Sequence, residues 1–276
     1  MKIDQLFSVR DFGVIVTGGA SGIGLGCAEA LAVNGAQVTI LDVDPLRVEV
    51  ETRRLQAAGL RVRGDVVDVC DHSAIDRAFD AARAAHGRLD VVFANAGIDP
   101  GPGFINGPGG PEAARNPAGA LEHYTDERWS RVIDVNLNGI FATLRAGARL
   151  LRPQRSGRMI VTTSVASFRN GSAIGSAYMA AKAGAAHLMR QVALELAAYN
   201  ITVNAIAPGF IVTNIGGGHS KEPQVQAEMN RIIPMHRVGF PADVAGLALF
   251  LASPASAYVT GQEISIDGGW TLGVAD

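Results

Sequence analysis

The chain has 276 residues, of which 48% are hydrophobic and 18% charged, a composition typical of a protein with a large core and unlike that of a disordered one. Its 24 Lys and Arg nearly balance its 26 Asp and Glu. A nearly neutral chain lacks the basic face that binds nucleic-acid phosphates, so we expect no nucleic-acid partner.

The first residues, MKIDQLFSVRDFG, lack the apolar stretch of a secretory signal. The most apolar late run, 244–251, is too short to span a bilayer. We therefore expect a cytoplasmic protein with no membrane partner. Cys27 and Cys70 are too few for a disulfide framework and have no Cys or His at metal-ligand spacing. We interpret both as half-buried apolar thiols and predict no metal site.

Short β-branched runs alternate with longer helical patterns along the whole chain. The predicted strands are 14–16, 37–41, 64–66, 89–93, 158–163, 201–205 and 262–266. The predicted helices are 23–34, 45–59, 75–86, 126–151, 176–199 and 242–251. This alternation predicts an α/β fold: one doubly wound parallel sheet of the Rossmann type, with helices on both faces. We find no linker or repeat and predict a single domain over residues 1–276.

One segment interrupts the alternation. Residues 99–119, DPGPGFINGPGGPEAARNPAG, contain five prolines and six glycines, which cannot extend a helix or a strand. We call this segment the insertion and predict a long surface loop. Its place after a strand puts it over the crevice where α/β proteins bind ligands. A solvated loop without a role explains it equally well.

A glycine-rich run, TGGASGIG at residues 17–24, lies between the first predicted strand and the first predicted helix. Gly18 allows a tight turn, Gly22 lets backbone amides approach a pyrophosphate, and Gly24 lets helix and strand pack closely. The helix N-terminus adds partial positive charge. No Lys follows, so the run is not a triphosphate-binding loop. By itself it is also explained as a simple strand–helix corner.

Asp42 lies 18 positions after Gly24, at the end of the second predicted strand. A carboxylate there accepts hydrogen bonds from the hydroxyls of an adenosine ribose and repels a 2′-phosphate. Ser21, not a basic residue, precedes Gly22, and Arg47 is the one nearby cation in the sequence. Asp42 therefore favours NAD over NADP as the cofactor.

Tyr178 and Lys182 stand four residues apart on a predicted helix and so share one face. An adjacent ammonium favours the phenolate, so we expect the pKa of Tyr178 to move toward neutrality. Tyr178 would then be a general base toward an alcohol, or the acid in the reverse direction. Ser164 lies fourteen residues upstream, at the end of a strand. On its own, such a Tyr–Lys pair is common on protein surfaces.

Seven short motifs occur in one order along the chain. They are Thr17-Gly18-x-x-x-Gly22-x-Gly24, Asp65-Val66, Asn95-Ala96-Gly97, Asn136, Ser164, Tyr178-x-x-x-Lys182 and Pro208-Gly209. In these motifs the sequence resembles the short-chain dehydrogenase/reductase family, from about Gly13 to Gly269. The combination is far more specific than any one motif.

The resemblance implies catalytic roles for four residues. Tyr178 would exchange a proton with the substrate oxygen, Ser164 would hold that oxygen, and Lys182 would lower the pKa of Tyr178 and bind the nicotinamide ribose. Asn136 would anchor a water that connects Lys182 to solvent. The implied cofactor-binding residues are Gly18, Ser21, Gly22, Ile23, Gly24, Asp42, Val43, Asp65, Val66, Asn95, Ala96, Gly97, Tyr178, Lys182, Pro208, Gly209, Ile211 and Thr213.

Several of these assignments have a structural alternative. Asp65 is also explained as a helix cap, Asn95 as a turn former and Asn136 as a buried amide bound to backbone. Thr163 and Ser167 are rival hydroxyls to Ser164. The spacing from Ser164 to Tyr178 is one residue longer than the commonest spacing in the family, which the intervening loop can absorb.

Substrate contacts in this family come mainly from three loops. Here they are the insertion, residues 165–177, and the segment after Thr213, residues 214–219, which we call the lid because three glycines give it hinge freedom. We consider an apolar pocket with a polar edge, although surface packing explains each of its members as well. We expect no cation cluster that would bind a carboxylate. The candidate pocket residues are Phe104, Ile105, Phe168, Phe210, His219 and Arg169.

We therefore predict an NAD-dependent alcohol dehydrogenase or ketoreductase that acts on a small-molecule alcohol or ketone. The alternatives are a biosynthetic 3-oxoacyl-type reductase and a non-catalytic NAD-sensing protein on the same fold. The resemblance also implies a homotetramer. Met229, Met235 and Trp270 are interpreted as core or subunit-contact residues.

Overall fold

The computed structural model describes residues 2–99, 101–106 and 114–273. Its frame is one sheet in which all neighbouring strands are parallel, in the spatial order β3-β2-β1-β4-β5-β6-β7. The strands are β1 (Gly13–Thr17), β2 (Gln37–Asp42), β3 (Val62–Val66), β4 (Val91–Ala94), β5 (Gly157–Thr162), β6 (Ile201–Pro208) and β7 (Glu263–Ile266). The predicted doubly wound α/β sheet is confirmed.

Helices connect these strands. They are α1 (Ile3–Leu6), α2 (Gly22–Val33), α3 (Pro45–Ala57), α4 (His72–His86), α5 (Asp126–Ile133), α6 (Gly139–Gln154), α7 (Ser176–Leu196), α8 (Pro223–Ile232) and α9 (Pro241–Ala252). A π-helical segment, Asp134–Asn138, joins α5 to α6. The sequence analysis did not predict α1, which is a single turn, or α8, which buries one residue, Met229.

Apolar cores cover both faces of the sheet. One core packs α4, α6 and α7 against the strands, and the other packs α2, α3 and α9. In β1, Val14 and Val16 belong to the second core and Ile15 to the first. Because both faces are covered, β1 and β4 are buried along their whole length and have continuous apolar sequences.

The order of the strands reverses at β1. The chain moves outward from β1 through β2 to β3 and then returns to β4 on the other side of β1. The loops that leave the carboxyl ends of β1 and β4 therefore diverge, and this divergence opens a crevice above the sheet.

The predicted helix 75–86 begins earlier in the structure, at His72. Asp71 caps it, because its carboxylate accepts hydrogen bonds from the amides of Ser73 (3.0 Å) and Ala74 (2.9 Å). Gly87 ends it with φ +74°, as predicted from the glycine.

The insertion is bound to another loop. The amides of Gly103 and Ile105 donate to the carbonyls of Ala173 and Ser172, at 3.1 Å each, and the amide of Asn116 donates to the carbonyl of Phe104 at 2.9 Å. Pro100 and residues 107–113 lie outside the described residues. The described part of the insertion is thus a partner of the connection 165–177 that leads into α7.

The two cysteines differ from the expectation of half-buried thiols. Cys27 is fully buried in the core, where burial raises its pKa to about 12, whereas Cys70 is exposed in the turn before α4. Within residues 2–99, 101–106 and 114–273, no group of three His, Cys, Asp or Glu side chains can hold a metal ion. No helix in the same part of the chain is long and apolar enough to cross a bilayer.

Candidate active site

A cavity of about 1360 Å³ is lined by residues at and beyond the carboxyl ends of β1 to β6, together with α5 and the lid. All but three of the predicted site residues line it. They are Gly18, Ser21, Gly22, Ile23, Asp42, Val43, Asn95, Ala96, Gly97, Asn136, Ser164, Tyr178, Lys182, Pro208, Gly209, Ile211 and Thr213.

The glycine turn forms a cradle at one end of the cavity. Gly18 has φ +63° and Gly22 has φ +53°, conformations that side chains other than glycine rarely adopt. A Cβ atom on Gly18 would lie 2.8 Å from the Cα of Ala96. Gly24 does not line the cavity; a Cβ there would overlap the carbonyl oxygen of Gly18, so Gly24 holds α2 against the turn. A dinucleotide pyrophosphate fits this cradle at the N-terminus of α2.

Asp42 presents an oriented carboxylate to the same end. One carboxylate oxygen accepts a hydrogen bond from the amide of Ala20 (3.1 Å) and the other from the amide of Asp44 (3.2 Å). Arg47 also lines the cavity, but its Nε lies 3.1 Å from the Asp44 carboxylate. The acidic group predicted to meet a ribose is therefore fixed in place, and the nearest cation is paired.

Asp65 and Val66 do not line the cavity, which corrects the sequence assignment. They are the last two residues of β3, where Asp65 lies 3.6 Å from Arg63 and Val66 is 56% exposed. The dipeptide Asp-Val recurs at Asp68-Val69, beyond the strand end, and both of these residues line the cavity. Residues past the carboxyl end of a strand are the ones that reach the crevice, so Asp68-Val69 is the copy of the dipeptide that faces the cavity.

The Asn95 side chain connects β1 to β5. Its Nδ2 donates to the carbonyls of Thr17 and Gly18 (3.2 Å each), and its Oδ1 accepts from the Thr162 hydroxyl (2.9 Å). These contacts agree with the interpretation of Asn95 as a turn former. They also set the path of Asn95, Ala96 and Gly97 along the cavity wall.

Asn136 is fully buried within the π-helical segment. Its Nδ2 donates to the carbonyls of Ile98 (3.2 Å) and Val132 (3.1 Å), and its Oδ1 accepts from the amide of Ile98 (3.3 Å). π-Helical turns are rare in proteins, and those that occur are often found at functional sites. In this structure the Asn136 side chain fixes the backbone just before the insertion.

Ser164 is the hydroxyl that meets Tyr178. Its hydroxyl interacts with the Tyr178 phenol, which lowers the pKa of Tyr178, and accepts a hydrogen bond from the amide of Ala166 (3.1 Å). The rivals are engaged elsewhere: Thr163 donates to the carbonyl of Ile206 (3.1 Å), and Ser167 donates to Glu263 (2.5 Å). The geometry therefore selects Ser164 among the three hydroxyls.

Lys182 lies about one helical turn after Tyr178 on α7 and is 2% exposed. Its Nζ donates to the carbonyl of Thr162 (2.9 Å) and lies 5.5 Å from the centre of the Tyr178 ring. Burial lowers the pKa of Lys182 to about 8.

Burial also raises the pKa of Tyr178 to about 12; the hydrogen bond with Ser164 opposes this rise, and the charge of Asp99 adds to it. The sequence analysis expected the opposite direction, toward neutrality. The difference arises because burial disfavours the phenolate more than its neighbours stabilise it.

The substrate side differs from the expected apolar pocket. From the insertion, Asp99 and Gly101 line the cavity among its described residues, and from the lid Asn214, Ile215 and Gly217 do so. The expected pocket residues do not line it; His219, for example, is hydrogen-bonded at the surface through Nδ1 to Glu222 (2.9 Å). They are Phe104, Ile105, Phe168, Phe210, His219 and Arg169.

Helix α5 supplies side chains that the sequence analysis missed. Glu127, Ser130 and two arginines, Arg128 and Arg131, line the cavity on the side where no cation cluster was expected from the sequence. The Arg128 guanidinium donates to the carbonyls of Pro102 (2.9 Å) and Ala118 (2.6 Å). No sequence motif marks these residues, because they reach the cavity only through the placement of α5 beside the insertion.

Comparison with known proteins gives one consistent family. A family model described as enoyl-(acyl carrier protein) reductase matches residues 18–271. The 3-oxoacyl-(acyl-carrier-protein) reductase MabA of Mycobacterium tuberculosis is 35% identical over 263 residues, which cover 94% of this chain and 93% of that protein.

This chain belongs to the short-chain dehydrogenase/reductase family. It is an oxidoreductase that acts on CH–OH or carbonyl groups. The cis-4-hydroxycyclohexanecarboxylate dehydrogenase of Sinomonas cyclohexanicum is 36% identical over 257 residues, covering 93% of this chain and 95% of that protein. The crystal structure of the NADPH-dependent 3-quinuclidinone reductase from Rhodotorula rubra is 31% identical with a TM-score of 0.82, covering 98% of this chain and 95% of that one.

Proposed function

We propose that this protein transfers a hydride between NAD and a secondary alcohol or ketone, with Tyr178 as the general acid/base. The observation that carries the proposal is the shared cavity: Ser164, Tyr178 and buried Lys182 line it together with the glycine turn and Asp42. A group that exchanges protons and a dinucleotide cradle within one cavity suit hydride transfer coupled to proton transfer.

The cofactor would lie along the wall that runs from Asp42 to the residues after β6. The glycine turn would hold the pyrophosphate and Asp42 the adenosine ribose. Asp68, not Asp65, would meet the adenine amino group. When bound, the nicotinamide ring supplies the hydride acceptor in oxidation and the donor in reduction. The residues placed to meet the nicotinamide end are Lys182, Pro208, Gly209, Ile211 and Thr213.

Proton transfer at Tyr178 follows from its pKa. A phenol with a pKa of about 12 is protonated at neutral pH, which is the form that reduction of a ketone requires. Alcohol oxidation requires the phenolate, so its rate is expected to rise with pH. Ser164 would hold the substrate oxygen and stabilise the charge that develops on it, and Lys182 would pass protons toward Asn136 and solvent.

The direct test measures nicotinamide absorbance with NAD or NADP across a panel of secondary alcohols at neutral and alkaline pH. Wild type is expected to reduce NAD. Tyr178→Phe is expected to lose activity by about 10³-fold, since general acid–base catalysis contributes 10²–10⁴-fold, while it still binds NADH. Full activity of Tyr178→Phe would contradict the mechanism. Equal inactivity of both proteins, with intact NADH binding, would favour the NAD-sensing alternative.

Asp42→Ala tests the choice of cofactor. Removal of the carboxylate removes ribose hydrogen bonds and the repulsion of a 2′-phosphate. We expect the ratio of kcat/KM for NAD to that for NADP to fall by about tenfold or more. An unchanged ratio would contradict the assignment of Asp42 and weaken the NAD preference.

A biosynthetic 3-oxoacyl-type reductase is the second candidate, because the similar protein MabA has that activity in its name. The two candidates differ in cofactor and substrate. Preferential oxidation of NADPH with a 3-oxoacyl thioester, over NADH with a simple ketone, would favour the second candidate.

We also propose a cytoplasmic homotetramer. Two observations support subunit contacts: β7 lies at the edge of the sheet, and Phe141 on α6 and Leu194 on α7 are 43% and 76% exposed. Light scattering on the purified protein tests the tetramer, and cell fractionation tests the location.

A further inference from the structure

We propose that Asp99 determines the substrate class: it selects a substrate with a neutral hydroxyl group beside the reacting carbinol over one with a carboxylate in that position. The inference rests on the dehydrogenase function proposed above. It starts from the cavity, in which Asp99 at the beginning of the insertion shares the lining with Ser164 and Tyr178.

The backbone around Asp99 is fixed on both sides. On one side, the buried Asn136 side chain binds both the amide and the carbonyl of Ile98. On the other side, the Asp99 Oδ1 accepts a hydrogen bond from the amide of Gly101 (3.0 Å), where the chain turns with φ +68°. Asp99 is therefore placed by a tight turn next to a buried anchor.

The insertion beyond this turn is also held. Gly103 and Ile105 bind the connection 165–177, and Arg128 binds the carbonyls of Pro102 and Ala118. The Arg128 guanidinium lies 4.1 Å from the centre of the Tyr124 ring. These contacts come from two different parts of the chain, so the segment that carries Asp99 has a defined position relative to α7.

The Asp99 carboxylate keeps part of its hydrogen-bonding capacity. Within the described part of the chain, it makes no ion pair, and the Gly101 amide is the one group hydrogen-bonded to its side chain. Its charge acts on Tyr178, where it adds to the rise in the pKa of the phenol. The other charged groups that line the Tyr178 cavity on this side are Lys182, Glu127, Arg128, Arg131 and Asp134.

An ionised carboxylate accepts hydrogen bonds and donates none. A hydroxyl on the carbon next to the carbinol can donate to it, whereas a carboxylate in the same position would be repelled by a like charge in a partly enclosed site. Vicinal diols and polyols are therefore the expected substrate class, and 2-hydroxy acids are disfavoured.

Three four-carbon compounds isolate this effect: butane-2,3-diol, butan-2-ol and 2-hydroxybutanoate. We expect wild type to have a kcat/KM for the diol at least about tenfold above that for the hydroxy acid, a ratio that corresponds to one pKa unit of charge interaction. Asp99→Asn removes the charge and keeps an oxygen that can accept from the Gly101 amide. In this variant we expect the ratio to fall by about tenfold.

Two further measurements separate selection from a general structural role. The pH at which alcohol oxidation reaches half of its maximum is expected to be lower in Asp99→Asn, because the phenolate of Tyr178 no longer faces a second negative charge. Glu122→Gln removes a charge just beyond the insertion, at an exposed position outside the cavity. This control is expected to keep the wild-type ratio and pH profile.

The outcomes for the role of Asp99 and for the dehydrogenase function can be told apart. An unchanged diol-to-hydroxy-acid ratio in an active Asp99→Asn variant would overturn the role of Asp99 and leave the dehydrogenase function intact. If wild type oxidises none of the three compounds, they are titrated into the protein–NADH complex and binding is followed by nicotinamide fluorescence. Binding of 2-hydroxybutanoate as tight as that of the diol would then overturn the inference. Failure of the dehydrogenase function itself appears separately, as activity that does not depend on Tyr178.

Discussion

The end of the cavity at the glycine turn and the end at the insertion are built from different kinds of structure. At the glycine turn, the wall is built on the ends of β1 and β2, and the Asp42 carboxylate is held by the amide of Asp44, two residues away, and by the amide of Ala20 across the turn. At the insertion, the wall is formed by the loop after β4 and side chains of α5, and the insertion is hydrogen-bonded to the connection before α7.

This difference determines whether a substitution changes folding and cofactor binding or mainly substrate binding. At the glycine turn, the fit is steric and local, so an added methyl group should disturb both folding and cofactor binding. At the insertion, the fit depends on hydrogen bonds between segments that are distant in sequence. A substitution there should loosen a loop and change substrate binding while the sheet stays intact.

The largest effect is expected at Lys182, where the two ends meet. Burial lowers its pKa from 10.5 to about 8, so between these values the folded protein releases a proton that the unfolded chain keeps. The Lys182 proton by itself should therefore raise the free energy of unfolding between pH 8 and 10.5, by up to about 3.5 kcal/mol at ~1.4 kcal/mol per pKa unit. The thiols of Cys27 and Cys70, whose pKa values rise from 9.0 to about 12 and about 11, contribute with the opposite sign above pH 9. Urea unfolding of wild type and Lys182→Met across this range isolates the Lys182 contribution, because both proteins keep the two thiols.

In Lys182→Met this rise is expected to disappear, because no buried ammonium remains to lose its proton. Lys221 is exposed, and Lys221→Met serves as the control that keeps the wild-type pH dependence. Parallel pH profiles of wild type and Lys182→Met would show that burial of the ammonium is not the cause.

The next effect tests the steric character of the glycine turn. In Gly24→Ala the new Cβ would overlap the Gly18 carbonyl oxygen, so we expect a loss of about 2 kcal/mol in unfolding free energy and weaker NADH binding. Gly246, inside α9, has open space at its Cβ position. Gly246→Ala is the matched control and should stabilise the protein by about 0.5–1 kcal/mol. Equal effects of the two substitutions in denaturant unfolding would argue against a steric role for Gly24.

The smallest effect on stability is expected at the insertion. Arg128→Gln removes the guanidinium that binds the Pro102 and Ala118 carbonyls, at an expected cost of about 1 kcal/mol or less. We expect faster hydrogen exchange at residues 101–106 and a KM for the alcohol raised severalfold, with NADH affinity unchanged. Arg149→Gln, which removes an ion pair to Asp80 on α4, should change neither. A loss of NADH affinity in Arg128→Gln equal to its loss of alcohol affinity would remove the distinction between the two ends.

The same contrast explains what could be predicted from the sequence. β1 and β4 are short apolar runs between helical patterns, and the glycine turn lies directly after a strand, so local periodicity was sufficient for both. The Asp-Val dipeptide occurs twice, and the sequence alone does not show which copy faces the cavity. The choice between Asp65 and Asp68 depends on where β3 ends, and that end is set by pairing with β2.

The residues on the substrate side of the cavity could not be predicted from local periodicity. Arg128 reaches the insertion because α5 packs beside it, and Asp99 gains its influence on Tyr178 through the fold. Neither relationship has a periodicity or a fixed spacing in sequence. The direction of the Tyr178 pKa was also wrong, since spacing alone shows the neighbouring ammonium and does not show the burial of the phenol.

The pairing of the insertion with the connection before α7 has a consequence for the order of folding during synthesis. Pro102 pairs with Ile174, roughly 70 positions later, a long-range contact that cannot form until both segments exist. On the ribosome, where N-terminal segments emerge first, β1, β2 and the glycine turn can associate while the insertion still lacks its partner. The insertion therefore acquires its partner later than β1 and β2 can pair, and a chain arrested before residue 172 would carry a glycine turn with no anchored loop above it.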